Sequence, residues 1–172
     1  MASQEQLELL KKGVDGWNQW REANPDTPID LADGDLRGAN LKGADLRGAN
    51  LEGAKLQFSN LSAAQLEKAN LARAKFQEVN LQGAQLPGAM VTQCNFMEAN
   101  VQGANFEGAD LSGSQFNEDV FFMKANLKGA NLTDASGLHP NNIQGAMIDK
   151  ETRFPDYLQD DLEDEDFLNS FL

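Results

Sequence analysis

Residues 39–56 read ANLKGADLRGANLEGAKL, a stretch in which leucine returns at every fifth position: Leu41, Leu46, Leu51 and Leu56. An amphipathic helix repeats near 3.6 residues and a half-buried strand near 2, so neither template accommodates five. On a helix each step of five advances about 140°, which would scatter the leucines around the whole circumference. On a straight strand they would alternate between the two faces. The chain must therefore turn once per repeat, so that each short segment sends its leucine into a shared interior.

Extended outward, the beat holds for 18 successive centres from Leu31 to Phe116, with Phe76, Phe96 and Phe106 or Val91 and Val101 in place of leucine at some of them. Two residues before each centre from Leu36 onward lies a small residue, mostly alanine, with Gly34, Ser59, Val79, Cys94 and Ser114 as variants. A small group fits where a corner brings backbone close. One extra residue within NEDVF after Phe116 predicts a bulge, after which Phe122, Leu127 and Leu132 resume the beat. A second slip near Ala135 leads to Leu138, Ile143 and Ile148, where the pattern fades.

The residue just before the centre sets the number of sides. Asparagine occupies it at Asn40, Asn50, Asn60, Asn70, Asn80 and Asn100, with Met90 the one break, whereas the alternate positions read Asp45, Lys55, Gln65, Lys75 and Gln85. A period of ten is thus laid over the period of five. A ten-residue coil has two sides and no interior; a fifteen-residue coil scatters the asparagines. A twenty-residue, four-sided coil stacks them into ladders on opposite sides, where side-chain amides can pair between layers. Glycine two residues past the centre, as at Gly43 and Gly48, suits a turn that needs positive φ.

The repeated (A)(N/D)(L/F)xx unit, running from about Leu31 to Leu132, resembles the pentapeptide repeat proteins. The opening LLKKGVDGWNQWREANPDTPIDL is similar to the N-terminal cap of cyanobacterial members. The resemblance implies an all-β solenoid, a right-handed quadrilateral β-helix of about five coils. It also implies action by binding: some relatives bind a regulatory protein in cyanobacteria, and others imitate DNA and occupy type II topoisomerases such as DNA gyrase.

An open β-helix exposes backbone edges at both ends, which invites unwanted pairing. The flanks read as covers, and the chain divides into an N-terminal capping helix and linker (1–28), the repeat (29–135), a C-terminal cap (136–155) and an acidic tail (156–172). Ser3 with Gln6 makes a capping box. Leu7, Leu10, Val14 and Trp17 fall on one face of a single helix that ends at Asn24-Pro25. Trp17 and Trp20 serve either this cap or a partner surface. The HPNNI run from His139 predicts a short helical turn, with KETRFP closing the stack. Residues 156–172 hold seven acids and no base, which fits either a solvated tail or, with Leu158, Leu162, Leu168 and Leu172 on one face, a docking or homodimer-forming helix.

Catalysis needs converging groups, and His139 and Cys94 are the sole histidine and cysteine. They cannot assemble a zinc site, no nucleophile motif accompanies the histidine, and every Gly-Ala pair belongs to the repeat rather than to a phosphate loop. The expectation is a non-enzyme without cofactor or metal. Cys94 occupies an alanine-type position, which predicts a buried thiol. The best metal candidate is a column of Glu78, Glu98 and Glu118, twenty residues apart, for which solvated surface glutamates are the plainer reading. With neither a signal-peptide core nor a membrane-length apolar run, a cytoplasmic protein is expected.

Net charge is −13, which argues against direct nucleic-acid binding. Between Phe76 and Met123 six acids stand without one lysine or arginine, whereas Leu31 to Lys75 carries seven bases and five acids. Duplex DNA presents about three charges per coil height of ~4.8 Å. Across Leu31 to Ala135 the chain has 12 acids and 9 bases, so the whole rod is far below that density and only its second half approaches it. The sequence therefore favours a rigid scaffold that binds an unidentified protein, with a gyrase-directed DNA mimic as the alternative. Outward apolar groups at Phe58, Met90 and Met97, with Glu78, Glu98, Glu107, Asp110 and Glu118, form the expected interaction surface.

Overall fold

The computed structural model describes residues 2–162 and shows a four-walled coil. Its elements outside the coil are helices α1 (Gln4–Lys12), α2 (Val14–Ala23), α3 (Pro140–Ile143) and α4 (Asp156–Leu162). The walls are too short for conventional strands. Each contributes one parallel bridging residue per layer, so that Asn40 pairs with Asn60, Asn60 with Asn80, and Asn80 with Asn100. We number the walls by their centres: first wall Leu31 and Leu51, second Leu36 and Leu56, third Leu41 and Leu61, fourth Leu46 and Leu66.

Up to the bulge after Phe116, the corners are β-turns built from the pentapeptide itself. The N–H of Ala39 donates to the carbonyl of Leu36 at 3.1 Å, and that of Ala44 to Leu41 at 3.0 Å. Two residues past each centre from Asp33 to Gly113 the backbone has positive φ, the signature of a type II turn. Glycine takes this slot at Gly38 (φ 66°), yet Phe58, Glu78 and Glu98 adopt it too, at 63°, 54° and 59°. Layers are then joined by backbone pairs such as Leu41 N–H to Asn60 C=O, 2.7 Å, and Gln65 N–H to Ala44 C=O, 2.9 Å.

Leucines and alanines fill the hollow: Leu41, Ala44, Leu46, Leu51 and Leu56 are fully buried. Each such leucine contributes roughly 1.5–3 kcal/mol of burial. Along the second wall the filling changes from Leu36 and Leu56 to Phe76, Phe96 and Phe116. Their rings stack at 4.9 and 5.1 Å between centroids, with Phe106 meeting Phe96 edge-on.

Of the expected asparagine ladders, the first wall has one: Asn70 Nδ2 donates to Asn50 Oδ1 at 3.2 Å and Asn50 Nδ2 to Asp30 Oδ1 at 3.4 Å. On the third wall Asn60, Asn80 and Asn100 instead accept the N–H two residues on, at 3.0–3.1 Å, tying down their own turns.

The N-terminal cap is two helices, not one. Gly13, at φ 147° and ψ 148° in a region that L side chains rarely adopt, breaks the run and lets α2 fold across the end of the coil. The half of the capping box in which Ser3 accepts from Gln6 N–H is present. Gln6 does not return the bond, because its amide serves the first coil: it accepts from Asp30 N–H and donates to Pro28 C=O, both at 2.9 Å. On the fourth wall, α2 supplies what a preceding coil would. Asn18 Oδ1 accepts from Asp45 N–H (2.9 Å), Trp17 Nε1 donates to Asp45 C=O (2.8 Å), and Arg21 Nη2 donates to Arg47 C=O (3.1 Å). Trp17 is fully buried and belongs to the cap.

At the far end the predicted bulge and helical turn are present. Pairing continues past residue 135, with Met147 bridging Asn126 and Arg153 bridging Asn131. Thr152 Oγ1 donates to Leu127 C=O (2.9 Å), and Gly129 N–H donates to Asp149 Oδ1 (2.9 Å). Phe154 and Leu158 close the interior. Of the tail, residues 156–162 form α4; residues 163–172, with Leu168 and Leu172, lie outside the described residues.

Candidate interaction surface

The second wall gathers Phe58, Glu78 and Glu98 into one column, with Met97 beside Glu98. Met90 and Asp110 lie on the first wall and Glu107 on the fourth, so the expected surface is split over three walls. Glu118 leaves the carboxylate column. The bulge displaces it, and the N–H of Glu98 donates to Asn117 Oδ1 at 3.0 Å instead of to a backbone carbonyl in the next layer. Asp110 and Glu107 are engaged by neighbours, Asp110 Oδ1 accepting from Asn131 Nδ2 and Glu107 Oε2 from Asn126 Nδ2, both at 3.1 Å. Among the described residues no group of three or more His, Cys, Asp or Glu side chains could hold a metal ion.

A sharper patch lies at the corner where the bulge passes from the second wall to the third. There Phe121 takes the slot that asparagine holds in the four layers below, and it is 49 % exposed. Met123 (47 %) and Met97 (42 %) are also exposed. Phe121 and Met123 border two shallow hollows of about 290 and 440 Å³, one shared with Glu98, Asn100 and Asp119, the other with Asn141 and Gln144. The signal in the sequence was the run Phe121-Phe122-Met123: only one of three consecutive apolar residues can be a centre, and Phe122 is fully buried.

Asn142, a residue that composition did not single out, pins this corner. Its buried amide donates to the carbonyls of Asn117 (3.0 Å) and Val120 (2.7 Å), and its own carbonyl accepts from Phe122 N–H (2.8 Å). The short α3 exists to deliver it, with His139 N–H donating to Asn142 Oδ1 at 2.6 Å. The backbone that carries Phe121 is thus held from both sides, which leaves little ordering cost to a binding partner.

Cys94 is buried, its thiol donates to Leu71 C=O, and burial pushes its pKa up to about 12, so the thiolate nucleophile is not populated near neutrality. Among the described residues no helix is long and apolar enough to cross a membrane.

The family model for pentapeptide repeats, in eight copies, matches residues 29–62, 54–93 and 94–118, which together cover half of the chain. The chain is a pentapeptide repeat protein. Its coil is accordingly a right-handed β-helix solenoid. Among solved structures, a pentapeptide repeat protein from the Arabidopsis thaliana thylakoid lumen is 33 % identical, with a TM-score of 0.59 over 60 % of this chain and 71 % of that one. HetL, a pentapeptide repeat protein involved in heterocyst differentiation regulation in the cyanobacterium Nostoc sp. strain PCC 7120, is 26 % identical over 76 % and 72 % of the two chains, at a TM-score of 0.31. QnrB1, a plasmid-mediated fluoroquinolone resistance protein, is 24 % identical over 72 % and 59 %, at 0.41. No curated protein matches the chain significantly. This pentapeptide repeat protein departs from a uniform rod chiefly at the Phe121 corner.

Proposed function

We propose that the chain is a non-catalytic scaffold that binds another protein through the corner formed by Met97, Glu98, Asp119, Phe121 and Met123. The observation that carries this reading is Phe121, half exposed on a bulge pinned by Asn142, where neighbouring layers place asparagine. An exposed aromatic on rigid backbone, flanked by methionines, is the composition of an interface anchor. Glu98 and Asp119 lie beside it, in a stretch of sequence without a lysine or arginine, and they favour a partner surface that is apolar at its centre and basic at its edge.

The test is capture from native lysate with the full chain and with a Phe121→Gln/Met123→Gln variant. A protein retained by the first and lost by the second supports the reading; an unchanged set of captured proteins refutes it. Mimicry of DNA toward a type II topoisomerase is the second reading, favoured by the six acids without a base between Phe76 and Met123. Their distribution weakens it, since Glu78 and Glu98, Glu107, and Asp110 face three different directions rather than forming a double stripe of phosphate-like charge. Stoichiometric inhibition in a gyrase supercoiling assay would favour this second reading over the first.

A further inference from the structure

The N-terminal cap covers the first coil unevenly. Each wall of that coil presents one N–H and two carbonyls that a preceding layer would have satisfied, and α2 satisfies all three on the fourth wall. On the second and third walls the corresponding groups are the N–H and C=O of Asp35 and Asn40 and the carbonyls of Arg37 and Lys42. None is paired to a described residue. They open into a groove of about 1310 Å³ between the α1–α2 elbow and the coil.

The groove has a chemical character of its own. Leu9, Val14 and the 61 % exposed Phe58 give it an apolar lining, and Lys11, Lys12 and Lys42 stand on it with no ion-pair partner among the described residues. Arg37 and Asp35 are spent on each other at 2.6–2.8 Å, and the other acid of the lining, Asp15, has no ion-pair partner among the described residues. In a chain of net charge −13 this is a basic, apolar, β-edge site.

We propose that this groove receives residues 163–172 of a second copy of the chain, added as an extended segment along the open edge. The segment reads EDEDFLNSFL, four acids followed by two Phe-Leu pairs separated by Asn169 and Ser170. It complements the lysines and Phe58 in both respects, and backbone pairing to an open edge is indifferent to the rest of the sequence. The coil spends five residues per wall, so ten residues suffice for the two open walls.

The segment's own groove is out of practical reach. Six layer steps separate the ends, Asp30 to Arg153 on the first wall, or about 29 Å at ~4.8 Å per step. Ten residues span at most about 33–36 Å fully extended, which leaves one or two at most to lie in a groove that spans two walls. A neighbouring copy has no such limit, and tail-to-head docking of this kind is a heterologous contact.

Sedimentation of the full chain at low salt tests the proposal by charge exchange. One variant carries Lys11→Glu, Lys12→Glu and Lys42→Glu; the other carries Glu163→Lys, Asp164→Lys, Glu165→Lys and Asp166→Lys. The unaltered chain should self-associate, at least tenfold more weakly when salt is raised from about 50 to 500 mM. Each variant alone should stay monomeric, and their equimolar mixture should associate again, because each groove then meets a tail of opposite sign. Recovery in the mixture also shows that both variants fold. A Phe58→Gly/Lys42→Glu chain, which leaves α1 untouched and puts glycine in a positive-φ slot, should likewise lose association. An unaltered chain that is monomeric at about 200 µM, a variant that associates as the unaltered chain does, or a mixture that stays monomeric overturns the proposal. The Phe121→Gln/Met123→Gln chain should still self-associate, so this inference and the one concerning the corner fail separately.

Discussion

Replacing Phe96 by alanine removes the middle ring of the column in which Phe76 and Phe116 stack on it at 4.9 and 5.1 Å. Phe96 is fully enclosed, and the walls around it are tied by backbone bonds to layers on both sides, so the space cannot collapse. Large-to-small changes at such sites cost about 3–5 kcal/mol. Phe96→Leu is the informative companion. Leu56 and Leu36 occupy the same column two and three layers below, so the wall accepts leucine, and the change forfeits mainly two stacked pairs, about 1–3 kcal/mol. In urea unfolding followed by circular dichroism, at a slope near 2 kcal/mol/M, the midpoint should fall by about 2 M for alanine and about 1 M for leucine, with the slope unchanged. Equal losses for the two variants, or a loss under about 1 kcal/mol for alanine, would refute the argument that a rigid hollow is filled by size.

A charge in the hollow should do more: Leu81→Asp should abolish cooperative unfolding altogether, as read from the melting curve, because a buried unpaired carboxylate interrupts the stack. Asn18→Ala leaves the N–H of Asp45 without its partner and should cost about 1–3 kcal/mol, with added aggregation on heating from the uncovered edge. Arg47 beside Asp45, hydrogen-bonded at 2.7–2.8 Å and helped by Arg21, holds the Asp45 carboxyl below its ordinary pKa. A depressed pKa stabilises the fold above the unfolded value of about 3.9 and loses that contribution as pH falls through the folded value. Asp45→Asn should therefore lower the melting temperature at pH 7, and the gap should close at the acid end. Cys94 should resist alkylation in the native chain and react only as the chain unfolds, as mass spectrometry of a urea series would show.

The wall count was readable because two periods coincide: five fixes the turn and ten fixes the pairing of opposite walls. Trp17 was readable as a cap residue because helical spacing flags it, whereas Leu158, grouped by its spacing with the tail, instead closes the interior. The break at Gly13 was not, since a glycine within an apolar helical pattern costs only about 1 kcal/mol and carries no sign of which way the chain goes. Glu118 was misplaced as a column member because a one-residue bulge shifts outward positions without disturbing the centres. Phe121 and Asn142 escaped notice for a related reason: the fault in the beat was visible, but which side chain it expels and which amide pins it depend on the coil closing above.

Apart from the reach of Arg21 toward the Asp45 carboxylate, Asn18, Trp17 and Arg21 recognise nothing peculiar to the first coil. They answer three main-chain groups that every layer offers in the same places, and Asp149 and Thr152 do the like at the opposite lid. Twenty-residue blocks can accordingly be duplicated or deleted between Asn60 and Asn80 without redesigning either terminus. Such a gene gains or sheds length in increments of about 4.8 Å, like a ruler whose end stops stay fixed while graduations are inserted between them.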